Sequence, residues 1–286
     1  MINILDAIFN ITQREELEIK DITFGNNRAN NMGEGLEAFI KDSFTNMFDE
    51  SDKNKRNIKY KEVFSFQGSK RNPPDLMLRN GPAIEVKKIE SLSTDLQLNS
   101  SHPKQTLKSD SSFITRKCIE CEEWTEKDFI YVIGHVPKNT NRLSSLWFVY
   151  GDIYSASEET YLSLKNDIGT NIDEMPDVEF SETNEIGRVN KVDPLGITNL
   201  RIRGMWLLQP PFKVFDYIHN YEDGKRFQCF AIIPTSKFDK FSNKSINRLE
   251  QSKDLIIRDV NVNDPDNPVG LIECKLIDFK VDSVEL

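Results

Sequence analysis

Histidine and cysteine are scarce in this chain, and several further absences narrow what it can be. Its 286 residues hold three histidines, His102, His135 and His219, scattered along the sequence. That argues against a metal enzyme built on imidazole ligands. Four cysteines, Cys118, Cys121, Cys229 and Cys274, do not suggest a disulfide framework in so long a chain. Cys118 and Cys121 form a CxxC, but no second Cys pair or His pair stands at zinc-site spacing, so free thiols are expected. No run approaches the roughly 20 apolar residues of a membrane helix. The stretch MINILDAIFNITQREELEIK lacks the basic start and small-residue cleavage site of a signal peptide. An intracellular protein without membrane association is expected. There is no Walker A loop either, so no nucleotide cofactor is expected.

Basic side chains are outnumbered, 37 against 46 acids, for a net charge of −9. Taken whole, that disfavours a polyanionic partner. The distribution removes the objection. Residues 152–185 carry ten acids and a single base, Lys165, and account for −9 by themselves. The rest of the chain is balanced, and an acidic lobe can coexist with a basic groove elsewhere.

What is present reads as α/β. NNMGEGLEAFIKDSFTNMF, residues 30–48, places Met32, Leu36, Phe39, Ile40, Phe44 and Met47 at helical spacing. EVFSFQG, DLML, AIEVKKI, DFIYVIGHV, SLWFVYGDIY, FQCFAIIP and GLIECKLIDFKV read as strands. The turn RNGP joins the second and third of them. Residues 152–185 suggest a helix with loops. A central mixed sheet flanked by helices follows, in one domain over residues 1–286, with a small C-terminal appendage over 226–286 as a variant of that reading.

The chemistry concentrates in NPPDLMLRNGPAIEVKK, residues 72–88. Period two puts Glu85 and Lys87 on one strand face, while Ile84 and Val86 point the other way and bury. Asp75 heads the neighbouring strand, behind Pro73 and Pro74. Two carboxylates converging there suit Mg²⁺, a hard cation with oxygen ligands. The other possibility is a solvated strand face bearing a Glu–Lys pair. Glu37 lies at the edge of the helical apolar stripe, with Gly33 and Gly35 allowing close backbone approach; it is either a support for the same site or an ordinary boundary glutamate. A second Asp…Glu-x-Lys series, Asp266, Glu273 and Lys275, has a spacer of six residues against nine and ranks behind the first.

With LNSSHPK, SLWFVYGD and VDPLGITNLRIRGMW, the segment NPPDLMLRNGPAIEVKKIES resembles the NgoPII family of type II restriction endonucleases, within the PD-(D/E)xK nuclease superfamily. The resemblance runs from the N-terminus to about residue 220. It implies a restriction-endonuclease-like core, Asp75, Glu85 and Lys87 as catalytic residues with Asp75 and Glu85 on Mg²⁺, and Glu37 in supporting position. It also implies cleavage at the palindrome GGCC.

Double-stranded DNA as partner directs attention to two basic stretches. Residues 99–117 carry Lys104, Lys108, Arg116 and Lys117 against Asp110, with Asn99, Ser100 and Ser101 as phosphate donors. The competing reading is a solvated helix face with a Ser-rich start. Residues 187–206 carry Arg188, Lys191, Arg201 and Arg203 against Asp193, with Asn199 beside them. Arginine reads guanine and an acid accepts from cytosine, so this mixture suits a G·C site. An ordinary basic strand paired with the acidic lobe is the alternative. A palindrome is read most simply by a homodimer. A partner methyltransferase is not supported, since no Cys follows a Pro and no Gly-rich cofactor loop follows a strand. A non-catalytic DNA-binding module with a nuclease-like fold is the runner-up.

Overall fold

In the computed structural model of the protein, the described residues are 2–15, 17–19, 28–69, 72–98, 100–173, 179–180 and 187–282. The chain opens with α1 (Ile4–Thr12), started by an Asn3 capping box whose side chain takes the Leu5 and Asp6 amides while Asp6 returns a bond to the Asn3 amide. The spacing of Ile4, Leu5, Ile8 and Ile11 buries one stripe of α1. It packs on α2 (Arg28–Thr45), whose Leu36, Phe39, Ile40 and Phe44 are buried as the helical spacing predicts. Next comes α3 (Lys53–Val63), a largely polar helix that shows little apolar periodicity. A buried carboxylate ties it to α2: Asp42 accepts 2.6 Å bonds from Tyr60 Oη and from Arg56.

Strand β1 (Phe64–Ser69) leads to β2 (Asn72–Leu78) and β3 (Ala83–Ile89), with a short β4 (Leu96–Gln97) and β5 (Thr106–Lys108) after them. Beyond the one-turn α4 (Arg116–Ile119) run β6 (Glu126–His135) and β7 (Ser145–Tyr150). The acidic window contributes α5 (Glu158–Asp173) and the start of a small antiparallel sheet, β8 (Glu179–Phe180), β9 (Gly187–Asn190) and β10 (Leu200–Ile202). Strand β11 (Leu207–Leu208) pairs with β4, and the short α6 (Pro211–Val214) follows. The C-terminal part holds β12 (Phe227–Pro234), α7 (Thr235–Phe238), α8 (Asn243–Glu250), β13 (Leu255–Asn263) and β14 (Leu271–Val281).

Nine strands form the central sheet in the order β1-β2-β3-β6-β7-β12-β14-β13, with β5 added beside the start of β6. It is mixed: β3 runs parallel to β6 and β7 to β12, and the other pairs are antiparallel. Every residue of β7 and β12 is buried, which marks these strands as the sheet's centre. Strands β12, β13 and β14 thus belong to the main sheet. At Gly134 a Cβ would come within 2.7 Å of Leu36 Cδ2, so α2 lies close on β6 only because that position has no side chain. The opposite face is covered around Trp147, whose ring packs on Phe212, Phe215, His219 and Phe230. Among the described residues, no helix is long and apolar enough to cross a membrane.

Candidate active site

The turn at Arg79–Pro82 folds β2 back on β3 with Leu76 opposite Ile84 and Met77 opposite Ala83. One residue further along, Asp75 and Glu85 come side by side. Asp75 Oδ2 accepts the Val86 amide at 2.7 Å, which fixes its rotamer across the hairpin. Glu85 Oε1 lies 2.7 Å from Lys87 Nζ, so the two side chains that period two places on one face do meet. Ile84 is fully buried and Val86 packs against the core on the other side.

Burial pushes the Asp75 carboxyl well above its usual range, and the Glu85 charge adds to this; Lys87 and the Val86 amide act against it, and Glu37 adds the smallest push upward. Burial alone would lower the Lys87 ammonium, yet Glu85 and Asp75 outweigh it and the net shift is upward. Lys87 is therefore held protonated. Glu85 is 8% exposed, and its Oε2 is buried with no hydrogen-bond partner. A buried carboxylate oxygen left bare beside a second carboxylate offers a place where a cation could be held. Among the described residues no group of three or more His, Cys, Asp or Glu side chains could hold a metal. Asp75 and Glu85 could supply two oxygen ligands to a hard cation, whose remaining positions would fall to water and phosphate oxygens.

Glu37 stands one turn before Lys41 on α2 and is bound to it at 2.7 Å. Its charge reaches Asp75, but its carboxylate is engaged by Lys41. Two residues that the strand pattern alone does not place join the site. Tyr131 of β6 lies beside Glu85 in the parallel register and is buried, and its hydroxyl accepts the Lys104 amide at 2.7 Å. Lys104 itself is only 6% exposed, and burial lowers its ammonium to about 8 against the opposing pull of Glu158 and Glu85. A hint lay in FIYVIG, residues 129–134, where Tyr131 is the one polar-tipped side chain in an apolar run; its seat beside Glu85 depends on a crossover that spacing does not reveal.

The remaining positions in 99–117 separate. Ser100 and Lys108 are exposed, Ser101 is half-buried, and Asn99 lies outside the described residues. The stretch is not a helix face: it is an irregular loop interrupted by β5 and ending in α4. In 187–206 the strands β9 and β10 place Arg188 opposite Arg201. The Arg188 side chain lies outside what is described, while Lys191, Arg201 and Arg203 are exposed. Asp193 is bound into the turn between these strands, accepting the Leu195 amide at 2.9 Å and the Thr198 amide at 2.6 Å. Asn199 Oδ1 accepts the Lys191 amide at 3.2 Å. These two acceptors shape the hairpin that presents the cations.

The second acidic series does not assemble. Asp266 accepts bonds from Gln105 Nε2 and the Ser157 amide, Glu273 is exposed on β14 opposite Asn261, and Lys275 pairs with Asp259. Among the described residues, no third His, Cys, Asp or Glu joins Cys118 and Cys121 in a metal-holding group. Cys118 is buried against Met77, its thiol pushed up to about 12, and Cys121 Sγ donates to the Cys118 carbonyl.

No solved structure matches the chain. The sequence matches the NgoPII restriction endonuclease family profile over residues 2–263, well beyond the limit of about residue 220 drawn from the motifs. It is 44% identical over 277 residues to the type II restriction enzyme NgoPII of Neisseria gonorrhoeae, covering 97% of this chain and 99% of that protein. The chain belongs to the NgoPII restriction endonuclease family.

Proposed function

We propose that this type II restriction endonuclease hydrolyses double-stranded DNA through Asp75, Glu85 and Lys87, with Mg²⁺ held by the two carboxylates. The observation that carries this reading is the buried, unpartnered Glu85 Oε2 beside Asp75, with Lys87 against the other oxygen. When bound, the metal ion lowers the pKa of its water and neutralises charge on the phosphodiester. Lys87, kept protonated by both acids, orients the attacking water and meets charge developing on the phosphate. The water oxygen bonds to phosphorus, giving up a proton to bulk water, as the P–O3′ bond breaks and O3′ takes up a proton from solvent, leaving a 5′-phosphate and a 3′-hydroxyl. Asp75 is oriented by the Val86 amide, and Glu37 biases the local field from α2.

The target follows from family likeness, and we assign it as GGCC. Phosphate contacts fall to Ser100, Ser101, Lys104 and Lys108, and base reading to the β9–β10 hairpin with Arg201 and Arg203. A homodimer would let each subunit cut one strand of the palindrome.

Cleavage of unmethylated plasmid DNA with Mg²⁺, by wild type, Asp75→Ala and Glu273→Ala, tests the assignment. Discrete fragments from wild type and Glu273→Ala, with none from Asp75→Ala, are expected, and the fragment ends should map to GGCC sites. Binding without cleavage by every protein would leave a DNA-binding module instead.

A further inference from the structure

Next to the catalytic hairpin, the loop 102–108 and the start of α5 enclose a cleft of about 150 Å³. It is several times the ~30 Å³ share of one water molecule. Its position is set by Lys104, whose amide is fastened to Tyr131, the β6 neighbour of Glu85. We infer that this cleft, lined by His102, Lys104 and Lys108, seats a backbone phosphate of the DNA next to the scissile one, and that Glu158 occupies the phosphate's place until DNA displaces it. The inference rests on the nuclease reading above.

The cations converge from separate segments. Lys104 and Lys165 approach the ring of Phe113, at 5.1 and 5.6 Å from its centroid, and Lys108 lies at the rim. His102 is 4% exposed, with Nδ1 against the Pro103 carbonyl and Nε2 buried without a hydrogen bond. Into this group reaches one carboxylate. Glu158 Oε1 stands 3.4 Å from His102 Nε2 and Oε2 stands 3.6 Å from Lys108 Nζ. These are long contacts, against 2.7 Å for Lys87 with Glu85 or Lys41 with Glu37. A loosely held carboxylate is easily exchanged for a phosphodiester, which carries the same single charge. The other acids on the walls are Glu126, engaged by the Thr106 hydroxyl at 2.6 Å, and Glu159.

The walls themselves are pinned. A Cβ at Gly151 would come within 2.3 Å of the Lys104 carbonyl, so the loop can lie where it does only over a glycine. Asp266 clamps both sides of the cleft, accepting Gln105 Nε2 at 2.8 Å and the Ser157 amide at 2.7 Å. Gln105 also donates to the Ser155 carbonyl at 3.0 Å. Admission of phosphate thus requires only that the Glu158 side chain, about one-third exposed, swing out.

The test is binding of a short duplex lacking GGCC, without divalent ions, across a salt series. Glu158→Gln should bind about two- to fivefold more tightly than wild type at low salt. Asp167→Asn, the same charge change at an exposed position further along α5, should gain less. Lys108→Ala should weaken binding and flatten the log–log salt slope by about one, and in that background Glu158→Gln should lose much of its gain. Equal gains from Glu158→Gln and Asp167→Asn, no gain from Glu158→Gln, or an unchanged salt slope in Lys108→Ala would overturn the subsite while plasmid cleavage by wild type left the nuclease standing. A wild type that neither binds nor cuts any duplex would overturn both.

Discussion

Lys87 Nζ and Glu85 Oε1 stand 2.7 Å apart on one face of β3, two residues from each other in sequence. The pairing ties Lys87 to stability as well as to the proposed chemistry: its loss leaves Glu85 and Asp75 without their shared ammonium and, in the proposed mechanism, removes the donor from the scissile phosphate. Lys87→Ala should therefore be less stable than wild type in metal-free buffer, still bind duplex DNA, and lose cleavage rate by about 10²–10³-fold. Single-turnover cleavage alongside gel-shift binding would show it. Cleavage at the wild-type rate would remove Lys87 from the mechanism.

Asp75 and Glu85 are two largely buried carboxylates side by side, with one ammonium between them and the solvent. In metal-free protein, that like-charge contact costs stability. Asp75→Asn keeps an oxygen for the Val86 amide and removes one charge. It should raise the metal-free thermal midpoint by a few degrees, a gain on the order of 1–2 kcal/mol, while abolishing cleavage and the stabilisation that added Mg²⁺ gives the wild type. Thermal unfolding with and without Mg²⁺ reads both effects. A lower midpoint in metal-free Asp75→Asn would show that the pair is not repulsive.

Asp75, Glu85 and Lys87 were legible in the sequence because they lie on one hairpin, where strand period and an Asn-Gly turn determine which side chains meet. Lys104, Tyr131 and Glu158 were not, because their meeting depends on β6 lying parallel to β3 and on the path of an irregular loop. Lys104 was expected on the surface; the fold buries it beside Glu85. Helix α3 escaped notice since only Tyr60 and Val63 of its residues are buried. The strands near the C-terminus were readable from their alternation, but their entry into the middle of the sheet was not: β12 pairs with β7 across nearly 80 residues of intervening chain. Likewise Asp193 and Asn199 have the chemistry of base readers, and only the geometry shows their oxygens bound into a turn.

The close approach of α2 to β6 offers a test of the packing that holds Glu37 over the site. Gly134→Ala would thrust a methyl group into Leu36, whose side chain is fully buried. Overpacking of this kind costs roughly 1–3 kcal/mol. The pair should be strongly coupled, with Leu36→Ala costing less in the Gly134→Ala background than in wild type. Urea unfolding of the four proteins gives the coupling, and additive losses would place α2 further from β6 than the structure does.

His102 should make stability depend on acid pH. Burial lowers its imidazole from 6.5 to about 4, with the charges of Lys104 and Lys165 acting in the same direction. The folded state thus favours the neutral ring more strongly than the unfolded chain does. Its contribution is fully present above the unfolded value of 6.5 and is lost progressively as pH falls toward about 4, where the folded protein also takes up the proton. The loss is on the order of 1–3 kcal/mol over that window. Urea midpoints of wild type should fall between about pH 7 and about pH 5, and those of His102→Gln should fall less over the same interval. Because carboxylates titrate mostly below this range, the difference between the two proteins isolates the imidazole. Parallel pH profiles would mean that His102 is solvated or already charged in the folded protein, and the cleft would then carry one more cation against Glu158 than the geometry indicates.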